Sequence, residues 1–149
     1  MTSIRSATLD RIAPATLYRI VRLRTEVFVF EQGIVCEPEL DGLDLEPSTT
    51  LYWAEDDGDV VSTLRVLDTD GPVVHIGRVA TAKQARGRGI AARLIEAAIA
   101  DFLQPVEILA QAYLEEWYGG FGFERTGPNF LEAGIDHVPM RRPGRWTLA

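Results

Sequence analysis

Two stretches of the chain carry apolar residues at the spacing of an α-helix. The first opens at Pro14, a residue suited to an initial helical turn, and its apolar face runs through Leu17, Ile20, Val21, Val27 and Phe28. The second begins after Gly89 and is stopped before Pro105, with Ala91, Leu94, Ile95, Ala98, Ile99 and Phe102 on one face. The pattern therefore predicts two amphipathic helices.

Short apolar runs bounded by turn residues predict the strands. Residues 51–54 and 60–67 flank the hairpin signal Asp57-Gly58, and residues 73–81 follow a turn at Asp70-Gly71-Pro72. Because these three strands are consecutive, they are predicted to form an antiparallel meander. Residues 33–50 show no period and are predicted to be a long loop, a type of segment that is often functional.

Further elements follow the second helix. The pattern predicts a strand at 106–112, a short helix at 114–118, and closing strands at 124–126 and 137–141, with a loop at 132–136. Strands, a helix, and then a strand, a helix and strands predict a mixed α/β (α+β) fold.

Length and composition limit the possible functions. The chain has 149 residues and a net charge of −7. The length fits a single domain spanning 1–149, and the charge argues against a general electrostatic grip on nucleic acid or anionic membranes. A single cysteine, Cys36, and two histidines make a disulfide framework or a metal site unexpected. No segment has the length of a signal peptide core or a membrane span, so a cytoplasmic location is expected.

The distribution of charge is more informative than its sum. From Gly71 to Ile95 there are five basic residues and no Asp or Glu, the basic ones being Arg78, Lys83, Arg86, Arg88 and Arg93. This acid-free window is predicted to face something negative, with a basic surface patch that binds no ligand as the alternative. Arg24 is a second anomaly because it lies on the apolar stripe of the first helix. A partner such as Glu26 or Glu31, or a ligand, is expected for it, unless it reaches solvent from the edge of the stripe.

The centre of the acid-free window is a glycine-rich loop, residues 84–91, between a strand and a helix. Glycines allow tight turns and close approach of a ligand, and a helix start offers free N–H groups, so this loop suits a phosphate. A P-loop would need Lys and Ser/Thr after its last glycine, where Ile90 and Ala91 stand. A dinucleotide fingerprint would need a βαβ unit, which the preceding meander does not provide.

Two motifs, in order, resemble those of the GNAT superfamily of acyl-CoA N-acyltransferases. Arg86-x-x-Gly89-x-Ala91 resembles the superfamily's R/Q-x-x-G-x-G/A loop, and residues 117–123 (WYGGFGF) resemble its F-Y-x-x-x-G-F segment. Segments at 24–32, 41–45, 76–79, 110–112 and 134–137 are similar to those of its ElaA-like branch. Departures occur at Tyr113, where histidine is expected, and at Gly119-Gly120, where bulkier residues are expected.

The resemblance implies how a cofactor would be held. It implies a mostly antiparallel central sheet flanked by helices, in which the third strand of the meander splays from the next strand and acetyl-CoA lies in the opening. Pantetheine would then run beside Val79, Ala80 and Thr81. The pyrophosphate would meet the amides of the loop, namely Arg86, Gly87, Arg88, Gly89, Ile90 and Ala91, with no metal required.

The resemblance also implies roles in direct acyl transfer. Tyr118 matches the general acid that protonates the leaving thiolate, although by residue type alone it is a core tyrosine. The base is less defined. Glu31 is the catalytic candidate, with Glu26, His75 and His137 as other possibilities, while Arg24, Phe28, Gln32 and His137 are expected in the acceptor site.

The predicted function is acetyl transfer from acetyl-CoA to a primary amine of a small molecule or peptide. The alternatives are an enzyme like the acyl-homoserine lactone synthases, which resemble residues 24–28, and an acyl-CoA-binding module without catalysis. The intact glycine loop disfavours the lactone synthase. Exposed sheet edges and the Trp146 tail are candidate contacts for a homodimer.

Overall fold

The computed structural model describes residues 1–145, so Trp146 lies outside the described residues. The strands are β1 (Ser3–Ala7), β2 (Thr50–Asp56), β3 (Asp59–Leu67), β4 (Val74–Thr81), β5 (Val106–Gln111), β6 (Glu124–Arg125), β7 (Phe130–Glu132) and β8 (Ile135–Arg142). The α-helices are α1 (Pro14–Arg24), α2 (Ile90–Asp101) and α3 (Glu115–Gly119). Single 3-10 turns occur at Leu43–Leu45, Lys83–Ala85 and Ala112–Leu114.

The described strands form one sheet in the order β1-β2-β3-β4-β5-β8-β6, with β7 paired to β8. The predicted meander of β2, β3 and β4 is confirmed, and β4–β5 is the parallel pair among otherwise antiparallel ones. Two strands were not predicted: β1, which is mostly polar and lies on the sheet edge, and β7, which has three residues. The predicted loop at 132–136 is instead a tight hairpin between β7 and β8, turning at Ala133-Gly134.

The two long helices cover opposite faces of the sheet. Tyr52 belongs to the core cluster that contains Leu94 and Ile95 of α2, whereas its neighbour Trp53 belongs to the cluster that contains Ile20 and Leu23 of α1. Because successive strand residues point to opposite faces, these clusters lie on the two sides of the sheet. The apolar faces predicted for the two helices therefore pack against the two faces of the sheet.

The first helix changes its geometry at a position that the apolar spacing did not indicate. The α-helix ends at Arg24, and Thr25–Glu31 continues as a π-helix. Thr25 donates its hydroxyl to the carbonyl of Val21 at 2.8 Å, a type of back-bond that bends helices. The wider π turns are often found at functional sites, and this segment leads directly to Gln32.

The sheet opens between β4 and β5. The two strands pair only from Val74–Val106 to Ile76–Ile108, although both continue for several residues. A β-bulge stands at the parting point, because Arg78 and Val79 together oppose one residue, Leu64, of β3. Arg78 has a φ of 52°. Beyond Ile76 the β4 main-chain groups that point toward β5 have no partner strand within residues 1–145.

Within residues 1–145 no helix combines the length and apolar character needed to cross a bilayer. The same residues contain no group of three or more His, Cys, Asp or Glu side chains placed to hold a metal ion.

Candidate active site

A cavity of about 890 Å³ lies where β4 and β5 part. We call it the cleft. Its walls are the ends of these two strands, the loop that contains Glu39 and Asp41, and the β7–β8 hairpin. Phe28, Gln32, Val79, Tyr118 and His137, five of the predicted site residues, line it. The structure therefore brings three of the four predicted acceptor residues, one cofactor residue and the predicted acid into one space, whereas Arg24, the fourth acceptor residue, does not line it.

A smaller cavity of about 220 Å³ lies at the start of α2, lined by Thr81, Ala85, Arg86, Gly87, Gly89, Ile90, Ala91, Ala92 and Trp117. Trp117 precedes the cleft residue Tyr118, and Thr81 follows the cleft residue Val79 by two positions, so the same short segments contribute to both cavities. Ala80 lines neither, because its side chain is buried in the core beneath α1.

The glycine loop presents main-chain donors to the smaller cavity. Gly87 and Gly89 have φ of 79° and 73°, a region that strains other residues, and a Cβ at either would meet no atom within 4 Å. Glycine is therefore favoured at these two positions by the left-handed backbone conformation and not by close packing. Within residues 1–145, no acceptor is found for the N–H groups from Gly87 to Ala92. Free donors at a helix start attract anions, so the loop fits a diphosphate.

Basic side chains of the acid-free window find their negative partners inside the chain. The ion pairs are Arg78–Glu39, Arg86–Glu31 and Arg88–Asp56, with N–O distances of 2.9, 2.7 and 3.1 Å. Arg86 contacts Glu31 with two nitrogens, and this pair holds the pKa of the Glu31 carboxyl below its usual value. The main-chain N–H groups from Gly87 to Ala92, in contrast, find no acceptor within residues 1–145.

Arg24 is 1% exposed and does not line the cleft. The expected partners, Glu26 and Glu31, are wrong: the guanidinium is 2.7 Å from Glu39 and 2.9 Å from Asp44. Both acids belong to the long loop and follow Arg24 by 15 and 20 residues in sequence. The loop therefore folds back over the end of α1. The arginine thus fastens this loop to the helix.

A buried ionic cluster extends this fastening across the sheet. Arg65 of β3 lies 2.6 Å from Asp41 and 3.3 Å from Asp44, and Arg78 at the β-bulge also contacts Asp41 at 3.4 Å. Hydrogen bonds from Arg65 hold the pKa of Asp41 far below its usual value. Burial opposes the ionisation of Asp44, but the hydrogen bonds and charge of Arg24 outweigh it, so the pKa of Asp44 is also lowered. The loop is therefore held on charged anchors beside the cleft.

Tyr118 is 3% exposed, and its ring packs edge-on against Trp117 and Phe123. Its hydroxyl has no hydrogen-bond partner within residues 1–145 and is not sealed from solvent, so it opens on the cleft. Burial raises the pKa of the Tyr118 phenol above its usual value. The side chain is thus a neutral O–H donor at neutral pH.

The sequence indicated some residues of the cleft only indirectly. Gln111 donates its amide to Gln32 at 3.0 Å, and its β8 partner in the sheet is His137. Arg78 and Glu39 form another part of the wall. These pairs join residues from separate elements, so local sequence does not predict the pairing. The sequence singled out Gln111 through the motif at 110–112 and Arg78 through the acid-free window.

A sheet parted between two parallel strands, a glycine loop at the head of a helix and a buried tyrosine at the gap are the features of an acyl-CoA N-acyltransferase. Residues 26–143 match the acetyltransferase (GNAT) domain family. The chain belongs to the GNAT family of acyltransferases and is ElaA-like.

Sequence relatives agree with this assignment. A UPF0039 protein of Mycobacterium tuberculosis is 47% identical over 133 residues, 86% of this chain and 85% of its own length. Protein ElaA of Escherichia coli is 33% identical over 143 residues, 89% of this chain and 91% of its own length.

Solved structures share the fold. An acyl-CoA N-acyltransferase from Pseudomonas aeruginosa superposes with a TM-score of 0.88 at 36% identity, covering 95% of this chain and 99% of that one. ElaA of Escherichia coli has the same TM-score and coverage at 28% identity. The acyl-homoserine lactone synthase LasI has a TM-score of 0.78 at 19% identity, covering 95% of this chain and 89% of its own, which shows the fold alone.

Proposed function

We propose that the protein is an acetyl-CoA-dependent N-acetyltransferase that acts on a primary amine of a small molecule or peptide. The observation that carries the proposal is the parting of β4 and β5, which leaves an unpaired strand edge between a glycine loop and a cleft. An unpaired edge can hydrogen-bond an extended amide chain as an added strand does. Pantetheine is such a chain.

The residues fit coenzyme A along this path. The β4 segment from Val79 to Thr81 borders the gap and would hold pantetheine through the main-chain groups of alternate residues, because the Ala80 carbonyl accepts from Ser62 of β3 on the other side. The N–H groups from Gly87 to Ala92 would hold the diphosphate. Acetyl-CoA supplies the acetyl group as a thioester. The chain's net charge of −7 makes a local, main-chain anion site the consistent means of binding a polyanion.

The cleft supplies the remaining groups for direct transfer. Tyr118, whose neutral hydroxyl opens on the cleft, would give its proton to the leaving sulfur. Phe28, Gln32 and His137 would contact the acceptor. Glu31 lies outside the cleft lining and is held by Arg86, so its predicted catalytic role stays a prediction, as does a cytoplasmic location.

Equilibrium binding and thiol release test the proposal in sequence. Calorimetry should show saturable binding of acetyl-CoA, and a panel of small primary amines and lysine-containing peptides should then release free thiol with at least one member. No binding at millimolar acetyl-CoA contradicts the assignment. Binding without thiol release from any amine indicates a cofactor-binding module, and lactone formation from S-adenosylmethionine indicates a lactone synthase.

A further inference from the structure

One histidine of the cleft lining, His137, has a ring nitrogen, Nε2, that is without a hydrogen-bond partner within residues 1–145. Taking the proposed N-acetyl transfer as given, we propose that Nε2 of His137 accepts the proton of the attacking amine.

The hydrogen bond on the other ring nitrogen fixes the tautomer of His137. Nδ1 lies 2.7 Å from the carbonyl oxygen of Ile135. A carbonyl oxygen only accepts, so Nδ1 is the donor and carries the proton in the neutral ring. Nε2 of that ring then has its lone pair free. An Nδ1–H bond to a backbone carbonyl is a common way of orienting an imidazole whose other nitrogen is to react.

The surroundings hold the ring in place and leave Nε2 open. His137 is 8% exposed and stacks on Phe130 of β7, with ring centroids 5.8 Å apart. Within residues 1–145, Nε2 has no hydrogen-bond partner, and Arg65 Nε is the one buried side-chain atom sealed from solvent without a partner. Nε2 is therefore reachable, and since His137 lines the cleft it is reachable from there.

Glu132 is the charged group that faces Nε2. Its carboxylate oxygen is 3.9 Å away on β7, too far for a hydrogen bond and close enough to stabilise an imidazolium. The other neighbours are uncharged or engaged: Gln111 on β5 bonds Gln32, and Asp136 accepts from Asn129. The carboxylate of Glu132 would therefore stabilise the positive charge of a His137 ring protonated on Nε2.

Most of the other acidic groups at or near the cleft are bound by arginines, whereas Glu37 and Glu132 also line the cleft and have no arginine partner within residues 1–145. Glu39 and Asp41 are bound by the arginines of the ionic cluster, and Glu31 is bound by Arg86. A carboxylate held by an arginine is a weaker base, because its ionised form is stabilised.

His75, the chain's other histidine, lies with one nitrogen 2.9 Å from Asp68 and the other 3.2 Å from Glu107. Both of its nitrogens are therefore engaged. Of the two histidines in the cleft lining, His137 is thus the one with a ring nitrogen, Nε2, that has no hydrogen-bond partner within residues 1–145.

The proton balance is closed. The nitrogen of a neutral amine bonds to the thioester carbon and gives one proton to Nε2, the carbon–sulfur bond breaks with its electron pair on sulfur, and Tyr118 gives its proton to that sulfur. The proton on His137 then returns through solvent to the tyrosinate. An acceptor that arrives as an ammonium ion releases one further proton to solvent.

The test pairs His137→Gln with His75→Gln. We expect His137→Gln to lower kcat/KM by about 10²-fold or more at neutral pH and to lose the acid limb of the pH–rate profile. The deficit should narrow at high pH, where hydroxide can take the proton of the attacking amine, and acetyl-CoA affinity should be unchanged. His75→Gln should keep the acid limb. A His137→Gln enzyme that retains the wild-type profile, or changes KM alone, overturns the proposal.

A second measurement does not depend on turnover. Long-range ¹H–¹⁵N spectra of the two histidine rings, assigned with His75→Gln, should show the neutral His137 ring protonated on Nδ1. A ring protonated on Nε2 overturns the proposal even if thiol release is intact. Failure of wild-type thiol release with the expected tautomer present would instead contradict the proposed function.

Discussion

Tyr118 shows how burial changes what one side chain can do. Its hydroxyl is enclosed yet open to the cleft, and burial raises its pKa above the usual 10. A raised pKa keeps the phenol protonated, so ionisation of Tyr118 should cause no loss of rate below about pH 10. The phenol therefore keeps the proton that the proposed general acid would donate at neutral pH.

Replacing Tyr118 by Phe removes the hydroxyl and keeps the packing. We expect kcat to fall by about 10²–10⁴-fold, the usual contribution of a general acid, while acetyl-CoA binding stays at the wild-type level. Tyr18→Phe on the exposed face of α1 is the matched control and should leave both unchanged. Full activity in Tyr118→Phe, measured by thiol release, would remove Tyr118 from the mechanism.

Asp41 provides a residue-scale prediction about stability. Its pKa is lowered in the folded chain by hydrogen bonds from Arg65, relative to a usual value of 3.8. A lowered folded-state pKa means that its stabilisation is complete above the usual value and is lost as the pH falls below it. Urea unfolding of the wild type should therefore lose free energy steeply below about pH 4.

Asp41→Asn should separate this effect from general acid sensitivity. The variant should be less stable than the wild type at neutral pH and should lose less free energy between neutral pH and pH 3, because it has no carboxylate to protonate there. Asp70→Asn, in an exposed turn, is the control for the loss of one charge. Equal slopes for wild type and Asp41→Asn would show that the cluster does not hold Asp41 ionised.

At the scale of elements, the glycine loop needs a left-handed backbone conformation at Gly89 and is also the proposed site of diphosphate binding. Gly89 and Gly58 have similar φ, 73° and 78°, and neither has a close neighbour where a Cβ would stand. An alanine at either should cost about 1–2 kcal/mol of stability. Only Gly89→Ala also disturbs the start of α2, so it alone should weaken acetyl-CoA binding in calorimetry. Equal affinity in the two variants would separate the loop from the cofactor.

Periodicity predicted the elements that have a continuous apolar face, namely α1, α2 and the strands of the meander. It missed features that depend on distant partners. The edge strand β1 is held by its pairing with β2, and the bulge at Arg78 moves the burial pattern of β4 by one residue, so that Ala80 faces α1 while Ile76 faces α2. Neither a pairing partner nor a one-residue shift is visible in local spacing.

The site shows the same division. The glycine loop and Tyr118 could be placed from contiguous motifs, whereas the partners of Arg24 lie 15 and 20 residues away in a loop without a period. A buried arginine specifies that carboxylates must approach it, but not which ones. Glu26 and Glu31 are closer to Arg24 in sequence, but the folded loop places Glu39 and Asp44 against its guanidinium instead.

For the whole molecule, a ligand that bridges the gap in the sheet should increase the free energy of unfolding. Within residues 1–145, β1–β4 and β5–β8 are joined in the sheet by three pairs of residues between β4 and β5. A ligand that binds only the folded chain stabilises it by about 2.7 kcal/mol at 100 times its Kd, which for a chain of this size raises Tm by roughly 5–10 °C. Acetyl-CoA should produce such a shift, and Gly89→Ala should show a smaller one at the same concentration.

Hydrogen exchange locates the source of that stabilisation. If acetyl-CoA occupies the gap, amide protection should increase in β4 at residues 77–81, whose edge toward β5 is unpaired within residues 1–145, and in the loop at 87–92, whose N–H groups find no acceptor within those residues. The β1–β2 pairing at the far edge should gain only the global increment shared by every amide. Protection that is uniform along the chain, or confined to that far edge, would mean that acetyl-CoA stabilises the molecule from a site other than the opening between β4 and β5.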